Sequence, residues 1–461
     1  MITEVGSYLT ITDPSPALME WCKKNLELVN PEYQKKVRMH LWTGNTPRTL
    51  FLYSTNGNTL TLPFGCLRAI LGLLEGDLIK HFPEPKKVDF GGYVPLYKYQ
   101  EAAVAAMLAN HYGILQSPAG SGKTQMGIAL ACELGVKTLW LTHTKDLLTQ
   151  SKARAEQYLD PARLGTITEG KVSIGATMTF ATIQTMCRLD LDQYQDEWDC
   201  IIVDECHRVS GTPTAVTQFS KVLNALSARH KYGLSATVHR ADGLIKATYA
   251  MLGEVVYTVP DEAVKARVMT VNVLPQGTGV GLDACFLNSD GTVNYAQMIT
   301  YLTQYTERNK VIMADLLANR DHYNLILSER VSHLEYLYDQ LPPLLKRQAA
   351  VIDGKMTTKA LKAKREQAIE DMRTGAKRYL FATYSLAKEG LDIPRLDRLY
   401  LTTPQKDYAV IVQSVGRVAR VFEGKQQPIV YDYVDNIKSL LKSYKKRCTS
   451  YRKCGCKFIN Q

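Results

Sequence analysis

Nine residues, Gln116-Ser117-Pro118-Ala119-Gly120-Ser121-Gly122-Lys123-Thr124, constrain this chain more than any other stretch. The apolar run Tyr112 to Leu115 before them reads as a buried strand, and the Ala- and Leu-rich run Gln125 to Leu134 after them reads as a helix. Strand, glycine-rich loop and helix form the setting that a phosphate-binding loop requires. Gly120 and Gly122 let the backbone curl so that its N–H groups point inward at phosphate oxygens, and the following helix adds its positive N-terminal dipole. In that setting Lys123 reaches the β- and γ-phosphates of ATP, and the Thr124 hydroxyl holds Mg2+. Ser117 stands where the usual pattern opens with Gly, a mild departure, because the inner glycines, the Lys and the Thr are all present. The alternative is a chance glycine-rich turn, and the rest of the chain argues against it.

At 461 residues the chain is expected to hold two to four domains. It has no apolar run long enough to span a membrane, and its N-terminus lacks the basic and apolar regions of a secretory signal. Ten cysteines lie scattered without a paired framework, which fits reduced thiols in a cytosol. The net charge of +11 is concentrated at one end: residues 436–461 carry eight Lys and Arg and no acid. A polyanion is the natural partner of such a tail, and a merely solvated tail is the alternative. Cys448, Cys454 and Cys456 fall one short of the usual zinc quartet, so contact with DNA phosphate is the preferred reading there.

Residues 1–90 read as a small α+β domain that binds DNA. Ser7 to Ile11, Tyr33 to Leu41, Thr49 to Tyr53 and Thr59 to Leu62 are expected strands, the last two joined across Asn56-Gly57. Asp13-Pro14-Ser15-Pro16 opens a helix, Cys66 to Leu74 reads as another, and residues 83–87 read as a linker. Lys35, Lys36, Arg38 and Arg48, with Tyr33 and Trp42 among them, are candidates for a basic and aromatic nucleic-acid surface; the alternative is a solvated face over an aromatic core.

Residues 91–260 read as the ATP-binding domain. Gln100, just upstream of the loop, has an amide able to read an adenine edge. Thr144 and Lys145 open one helix, and Thr182 and Gln184 open another, as candidate contacts to a phosphate backbone. The strand Cys200-Ile201-Ile202-Val203 ends in Asp204-Glu205-Cys206-His207, and acids at the carboxyl end of a buried parallel strand sit where ligands bind. Asp204 is expected to hold the Mg2+ and Glu205 to orient and deprotonate the attacking water. Ser235, Ala236 and Thr237 end another strand and are candidates for coupling the nucleotide site to the nucleic-acid site.

Residues 261–435 alternate short apolar runs with helical stretches, which argues for a second parallel sheet. An alternating strand is expected over 267–274, and Tyr305-Thr306-Glu307-Arg308-Asn309 is expected just before a helix. Tyr384 and the following Gly390 and Asp392 lie after the strand 378–383. Gln413-Ser414-Val415-Gly416-Arg417-Val418-Ala419-Arg420 places Arg417 and Arg420 three apart, on one face of an expected helix.

Lys123, Asp204-Glu205-Cys206-His207, Ser235-Ala236-Thr237 and the 413–420 motif occur in the order and spacing of superfamily 2 helicases, which the chain resembles over about residues 95–435. Residues 234–244 are similar to the UvsW-like and XPB-like branches, as is the Glu307-Arg308-Asn309 segment to UvsW-like proteins. The resemblance implies two tandem RecA-like parallel-sheet domains, with Gln413, Arg417 and Arg420 catalytic and the arginines acting as fingers on the γ-phosphate. It assigns Gly390 and Asp392 to the nucleotide and Tyr384 to nucleic acid. It also implies an ATP-dependent helicase or translocase on branched or double-stranded DNA, in replication, recombination and repair. A monomer meeting replication or recombination proteins, in bacterial cytoplasm if phage-encoded, would follow. Two rivals are an RNA helicase and a DNA-binding protein with a vestigial motor.

Overall fold

Runs such as Cys200–Asp204 and Thr138–Thr142 are buried at every position. Such strands fit a sheet covered on both faces, and these two pair in parallel with their neighbours. The computed structural model describes residues 1–459 apart from 119, 210–216, 237–243, 266–267, 282–285, 289–292, 355–357, 389–390 and 392. The chain divides into two compact units, Met1–Ala263 and Val264–Gln461.

The first unit opens with β1 (Ile2–Val5), β2 (Tyr8–Thr12), α1 (Pro16–Leu26), β3 (Glu27–Val29), α2 (Pro31–Arg38), β4 (Thr49–Phe51), β5 (Ser54–Asn56), β6 (Thr59–Pro63), α3 (Leu67–Ile70) and β7 (Leu78–Lys80). Its five-stranded sheet has the order β5-β6-β2-β1-β7, while β3 and β4 form a separate ribbon. The strand expected over 33–41 is instead α2. Asn30 caps it by accepting from the Glu32 N–H at 2.9 Å, Pro31 occupies its first turn, and Lys36 pairs with Glu32. The hairpin at Asn56-Gly57 joins β5 to β6, whereas β4 stops at Phe51 and pairs with β3. The stretch 66–74 is only partly α-helical, its first and last turns being 3-10.

The unit continues with α4 (Lys98–Asn110), β8 (Tyr112–Gln116), α5 (Lys123–Leu134), β9 (Thr138–Thr142), α6 (Lys145–Ala155), β10 (Leu164–Thr168), β11 (Lys171–Ser173), β12 (Met178–Thr182), α7 (Ile183–Met186), β13 (Cys200–Asp204), α8 (Gln218–Ala225), β14 (His230–Ser235), α9 (Ile245–Leu252) and β15 (Val255–Thr258). The sheet order is β11-β10-β12-β9-β13-β14-β8-β15, parallel except at the β10–β11 edge. The N-terminal module is packed onto this sheet, not tethered to it. A Cβ on Gly65 would lie 2.3 Å from the Gly253 nitrogen, so backbone meets backbone at that contact. The Arg68 N–H donates to the Tyr112 hydroxyl at 2.8 Å. The stretch read as a linker is itself fastened, with the Lys86 N–H on the Asp199 carboxylate at 2.8 Å.

A short α10 (Asp261–Lys265) precedes β16 (Asn272–Gly277), α11 (Tyr295–Gln304), α12 (Thr306–Ala318), β17 (Asn324–Ser328), α13 (Val331–Asp339), α14 (Pro343–Arg347), β18 (Ala349–Ile352), α15 (Lys359–Thr374), β19 (Tyr379–Thr383), α16 (Tyr384–Lys388), β20 (Arg398–Leu401), α17 (Tyr408–Val418), β21 (Ile429–Val434), α18 (Lys438–Lys453) and β22 (Lys457–Phe458). The second sheet, β18-β19-β17-β20-β21-β16-β22, is parallel throughout. Leu325 and Leu327 enter the core on one face and Ile326 the core on the other, as the two-residue period of a strand requires. The expected strand over 267–274 is shifted to β16, and Thr306 to Asn309 form the first turn of α12.

The described part of the basic C-terminal stretch, residues 436–459, is not a tail. Arg447 of α18 is 2% exposed and meets the Asp432 carboxylate through Nη2 at 2.7 Å and Nε at 2.8 Å. The Tyr451 hydroxyl donates to the same carboxylate, and β22 pairs with β16. Among the described residues no helix is long and apolar enough to cross a membrane.

Candidate ATP site and its surroundings

The phosphate loop takes the shape its glycines permit. Gly120 and Gly122 both have φ of +84°, and the loop ends at the start of α5, where Lys123 and Thr124 are half-buried. Ser117 and Ser121 are buried and their hydroxyls hydrogen-bond to each other, so a hydroxyl closes the loop where a glycine usually opens it. Pro118 lies between them in the chain, and Ala119 is outside the described residues.

Gln100 does a different job from the one expected. It is 1% exposed, its amide nitrogen donates to the Ser121 carbonyl at 2.9 Å, and its oxygen accepts from the Tyr97 N–H at 2.9 Å. The Tyr99 hydroxyl also donates to the Ser121 carbonyl. The amide that was expected to read a base edge braces the loop from behind.

Sheet register assembles the rest. Asp204 of β13 lies beside Leu234 of β14, and Ser235 lies beside Gln116 of β8. The Ser117 N–H donates to the Ser235 carbonyl at 2.9 Å, while the Ser235 hydroxyl sits 3.0 Å from Nδ1 of His207. That same nitrogen is 3.3 Å from Oε2 of Glu205. Ser235 therefore touches both the phosphate loop and the acid motif. His207 is the link that sequence reasoning left without a role, although it was quoted in the motif. Ala236 follows Ser235, and Thr237 is outside the described residues.

Glu205 adopts the left-handed conformation, φ +50°, and its N–H donates to Asp204 Oδ1 at 3.0 Å. Cys206 packs under Gly233, where a Cβ would come within 2.7 Å of its sulfur. Burial, and then the neighbouring Glu205 charge, push the Asp204 carboxyl up to about 7, while Lys123 and a hydrogen bond from Ser151 pull it down. Ser151 had no signal in the sequence; it reaches Asp204 from α6. A divalent cation at this carboxylate would hold it ionised, and Thr124 at the helix N-terminus supplies a hydroxyl. The residues present fit Mg2+.

In the second unit, Gln413 and Ser414 are buried on α17. Arg417 lies in the last turn and its Nε donates to the Ala387 carbonyl at 3.1 Å. Arg420 is not on that helix face: α17 ends at Val418, and Arg420 bridges Val268 in extended backbone. Lys425 donates to the Arg420 carbonyl at 2.7 Å and to the Pro394 carbonyl at 3.0 Å, fixing that segment. Gly390 and Asp392 are outside the described residues.

The structure sorts the expected nucleic-acid contacts. Thr182 pairs with Thr142 across β12 and β9, so the segments that carry Thr144, Lys145, Thr182 and Gln184 start from the carboxyl ends of two neighbouring interior strands. Thr182 is 5% exposed, however, and its hydroxyl turns inward to Thr185. Gln184 donates to the His143 carbonyl at 2.6 Å, Thr144 caps α6, and Lys145 pairs with Glu169 at 3.0 Å. Tyr384 is buried, with its hydroxyl on the Thr403 carbonyl at 2.7 Å, which removes it as an exposed contact. On α2, Lys35 and Arg38 are exposed, whereas Lys36 is engaged by Glu32 and by Thr46.

Two parallel sheets of this build, one led by a phosphate loop and an Asp-Glu strand end, define the RecA-like class of ATP-driven motor. Residues 93–240 match the family described as "Type III restriction enzyme, res subunit", and residues 307–422 match the "Helicase conserved C-terminal domain". The chain belongs to the superfamily 2 helicases. It is 24% identical over 409 residues to a protein of Acanthamoeba polyphaga mimivirus that carries the name of an ATP-dependent RNA helicase, covering 87% of this chain and 75% of that one. It is 23% identical over 367 residues to the ATP-dependent DNA helicase uvsW of Enterobacteria phage T4, covering 73% and 68%. Among solved structures, S. cerevisiae Dbp5 bound to RNA and ADP BeF3 shares the fold with a TM-score of 0.55 and 16% identity, covering 87% of this chain and 94% of that one.

Proposed function

We propose that the chain is an ATP-driven translocase on DNA that acts at branched structures, by branch migration, fork regression or the unwinding and annealing of strands. The observation that carries the motor part is the Ser235 junction, whose carbonyl accepts from the phosphate loop and whose hydroxyl meets the His207 that also meets Glu205. A change at the nucleotide has a hydrogen-bonded route into the strand end from which the coupling segment starts. In this reading Lys123 binds the phosphates and Glu205 orients and deprotonates the attacking water. Gln413, Arg417 and Arg420 are assigned to the γ-phosphate. Thr124 and Asp204 would hold Mg2+, which neutralises phosphate charge when bound.

DNA is favoured by the phage T4 relative's name and by the restriction-enzyme family match; branched DNA rests on the UvsW-like character of residues 234–244. The name of the mimivirus relative favours RNA as the second reading. Residues 1–90 are assigned to substrate binding through Lys35, Arg38 and Arg48. The exposed lysines of α18 form a further polyanion track: Lys438, Lys442, Lys445 and Lys446 share a helix whose other face is buried through Leu440, Arg447 and Tyr451. A monomer working in the cytoplasm of a bacterial host, beside replication or recombination proteins, completes the proposal.

The test is ATP hydrolysis by wild type and Lys123→Ala with single-stranded DNA, duplex DNA, a four-way junction and structured RNA. Strongest stimulation by the junction, lost in the variant, is the expected result. Strongest stimulation by RNA overturns the substrate and leaves the motor.

A further inference from the structure

Trp42 is 87% exposed, while Trp140 and Trp198 are fully buried. Its exposure does not come from a dangling chain. The Asn30 side chain donates to the Pro47 carbonyl at 2.8 Å, and the Asn30 N–H donates to the Arg48 carbonyl at 3.0 Å. The Leu41 N–H bonds the Lys36 carbonyl at 2.9 Å, the Thr46 N–H bonds the Thr43 carbonyl at 2.9 Å, and Lys36 reaches the Thr46 hydroxyl. The loop between α2 and β4 is thus fastened at both ends and across its middle.

The ring itself has a seat. A Cβ on Gly44 would fall 2.8 to 3.1 Å from three atoms of the Trp42 benzo ring, so that half of the indole lies on Gly44, a residue with φ of +48°. Exposed Lys35, Arg38 and Arg48 lie on the same segment, within seven residues of Trp42 in the chain; Glu32 is the only acid in residues 30–48, and Lys36 already pairs with it. None of the buried residues of the unit belongs to α2. A flat π-surface beside uncompensated cations is complementary to a base attached to a phosphate backbone, because base–aromatic stacking and phosphate neutralisation then act on the same nucleotide.

We propose that Trp42 is a stacking platform for one unpaired base of a nucleic-acid strand, with Lys35, Arg38 and Arg48 receiving the flanking phosphates and Lys36 serving as the brace of the loop. The inference rests on the nucleic-acid reading above and narrows it to the single-stranded part of the substrate.

Intrinsic tryptophan fluorescence of the full chain tests it, titrated with an oligothymidylate for wild type, Trp42→Phe and Trp42→Ala, alongside nucleic-acid-stimulated ATP hydrolysis. The expected result is quenching of wild-type emission that is absent in Trp42→Phe, near-wild-type affinity in Trp42→Phe, and about tenfold weaker single-strand binding in Trp42→Ala. Basal hydrolysis without nucleic acid stays unchanged in both. Equal affinity in Trp42→Ala, or undiminished quenching in Trp42→Phe, overturns the platform while strand-stimulated hydrolysis leaves the motor reading standing. Absence of stimulation by any nucleic acid in wild type overturns both.

Discussion

The amide of Gln100 donates to the carbonyl of Ser121 across 2.9 Å, so the helix before the phosphate loop holds the loop's inner turn in place. Gln100→Ala is expected to raise the KM for ATP by up to about tenfold, with little change in melting temperature. The Tyr99 hydroxyl still serves the Ser121 carbonyl, and one neutral hydrogen bond contributes about 1 kcal/mol. Gly122→Ala is more severe, because its Cβ would sit 2.4 Å from the Gln100 amide nitrogen at a φ of +84°. Steady-state hydrolysis with a thermal melt separates a lost loop from a lost fold.

Arg447 and Asp432 form a buried pair that anchors α18 beneath the Gln405 carbonyl, which Arg447 also reaches at 3.0 Å. Removing one partner leaves an uncompensated buried charge. Arg447→Ala is expected to cost about 3–5 kcal/mol in the stability of the second unit. Arg447→Met combined with Asp432→Asn should recover a large part of it. Denaturant unfolding of the two variants checks this, and equal losses in both would refute the ion-pair account.

Lys231 lies in β14 at 1% exposure, donating to the Leu223 carbonyl at 2.8 Å with its ammonium 5.2 Å from the Phe64 ring. Burial pulls its pKa from 10.5 down to about 7. The folded state therefore releases this proton earlier than the unfolded state does. The group's contribution to stability is fully present above about 10.5 and is lost as the pH falls to about 7. The melting temperature of wild type relative to Lys231→Met should therefore rise between pH 7 and pH 9. A flat difference would show that the ammonium stays charged throughout.

The α18 track predicts a change in salt dependence. Replacing Lys442, Lys445 and Lys446 together by Gln should lower the log–log salt slope of duplex binding by about 2 to 3, since each lost phosphate contact removes about 0.9. Basal hydrolysis should be unaffected. An unchanged slope would return these lysines to solvent.

Much of this architecture was legible because it is written locally. The phosphate loop needs left-handed glycines between a strand and a helix, and those appear consecutively in the chain. The parallel sheets follow from short buried runs alternating with helices. The strand expected over 33–41 failed for a local reason too: Asn30 and Pro31 are a helix start, and the alternation of charged and apolar residues after them concealed it.

What the sequence by itself determined is the class of motor: a glycine-rich loop between a strand and a helix, an Asp-Glu pair ending another parallel strand of the same sheet, and two α/β sheets. Only the tertiary structure decided what individual polar side chains are free to do. Gln100 is taken by the loop, and Thr182 and Tyr384 are turned inward. Lys145 and Lys36 are engaged by acids, and a basic C-terminal stretch becomes a docked helix through Arg447. The physical reason is that a residue's type fixes its donors, acceptors and charge. Its exposure and its partner are set by packing between segments far apart in the chain, as when Gln184 bonds the carbonyl of His143, 41 residues away.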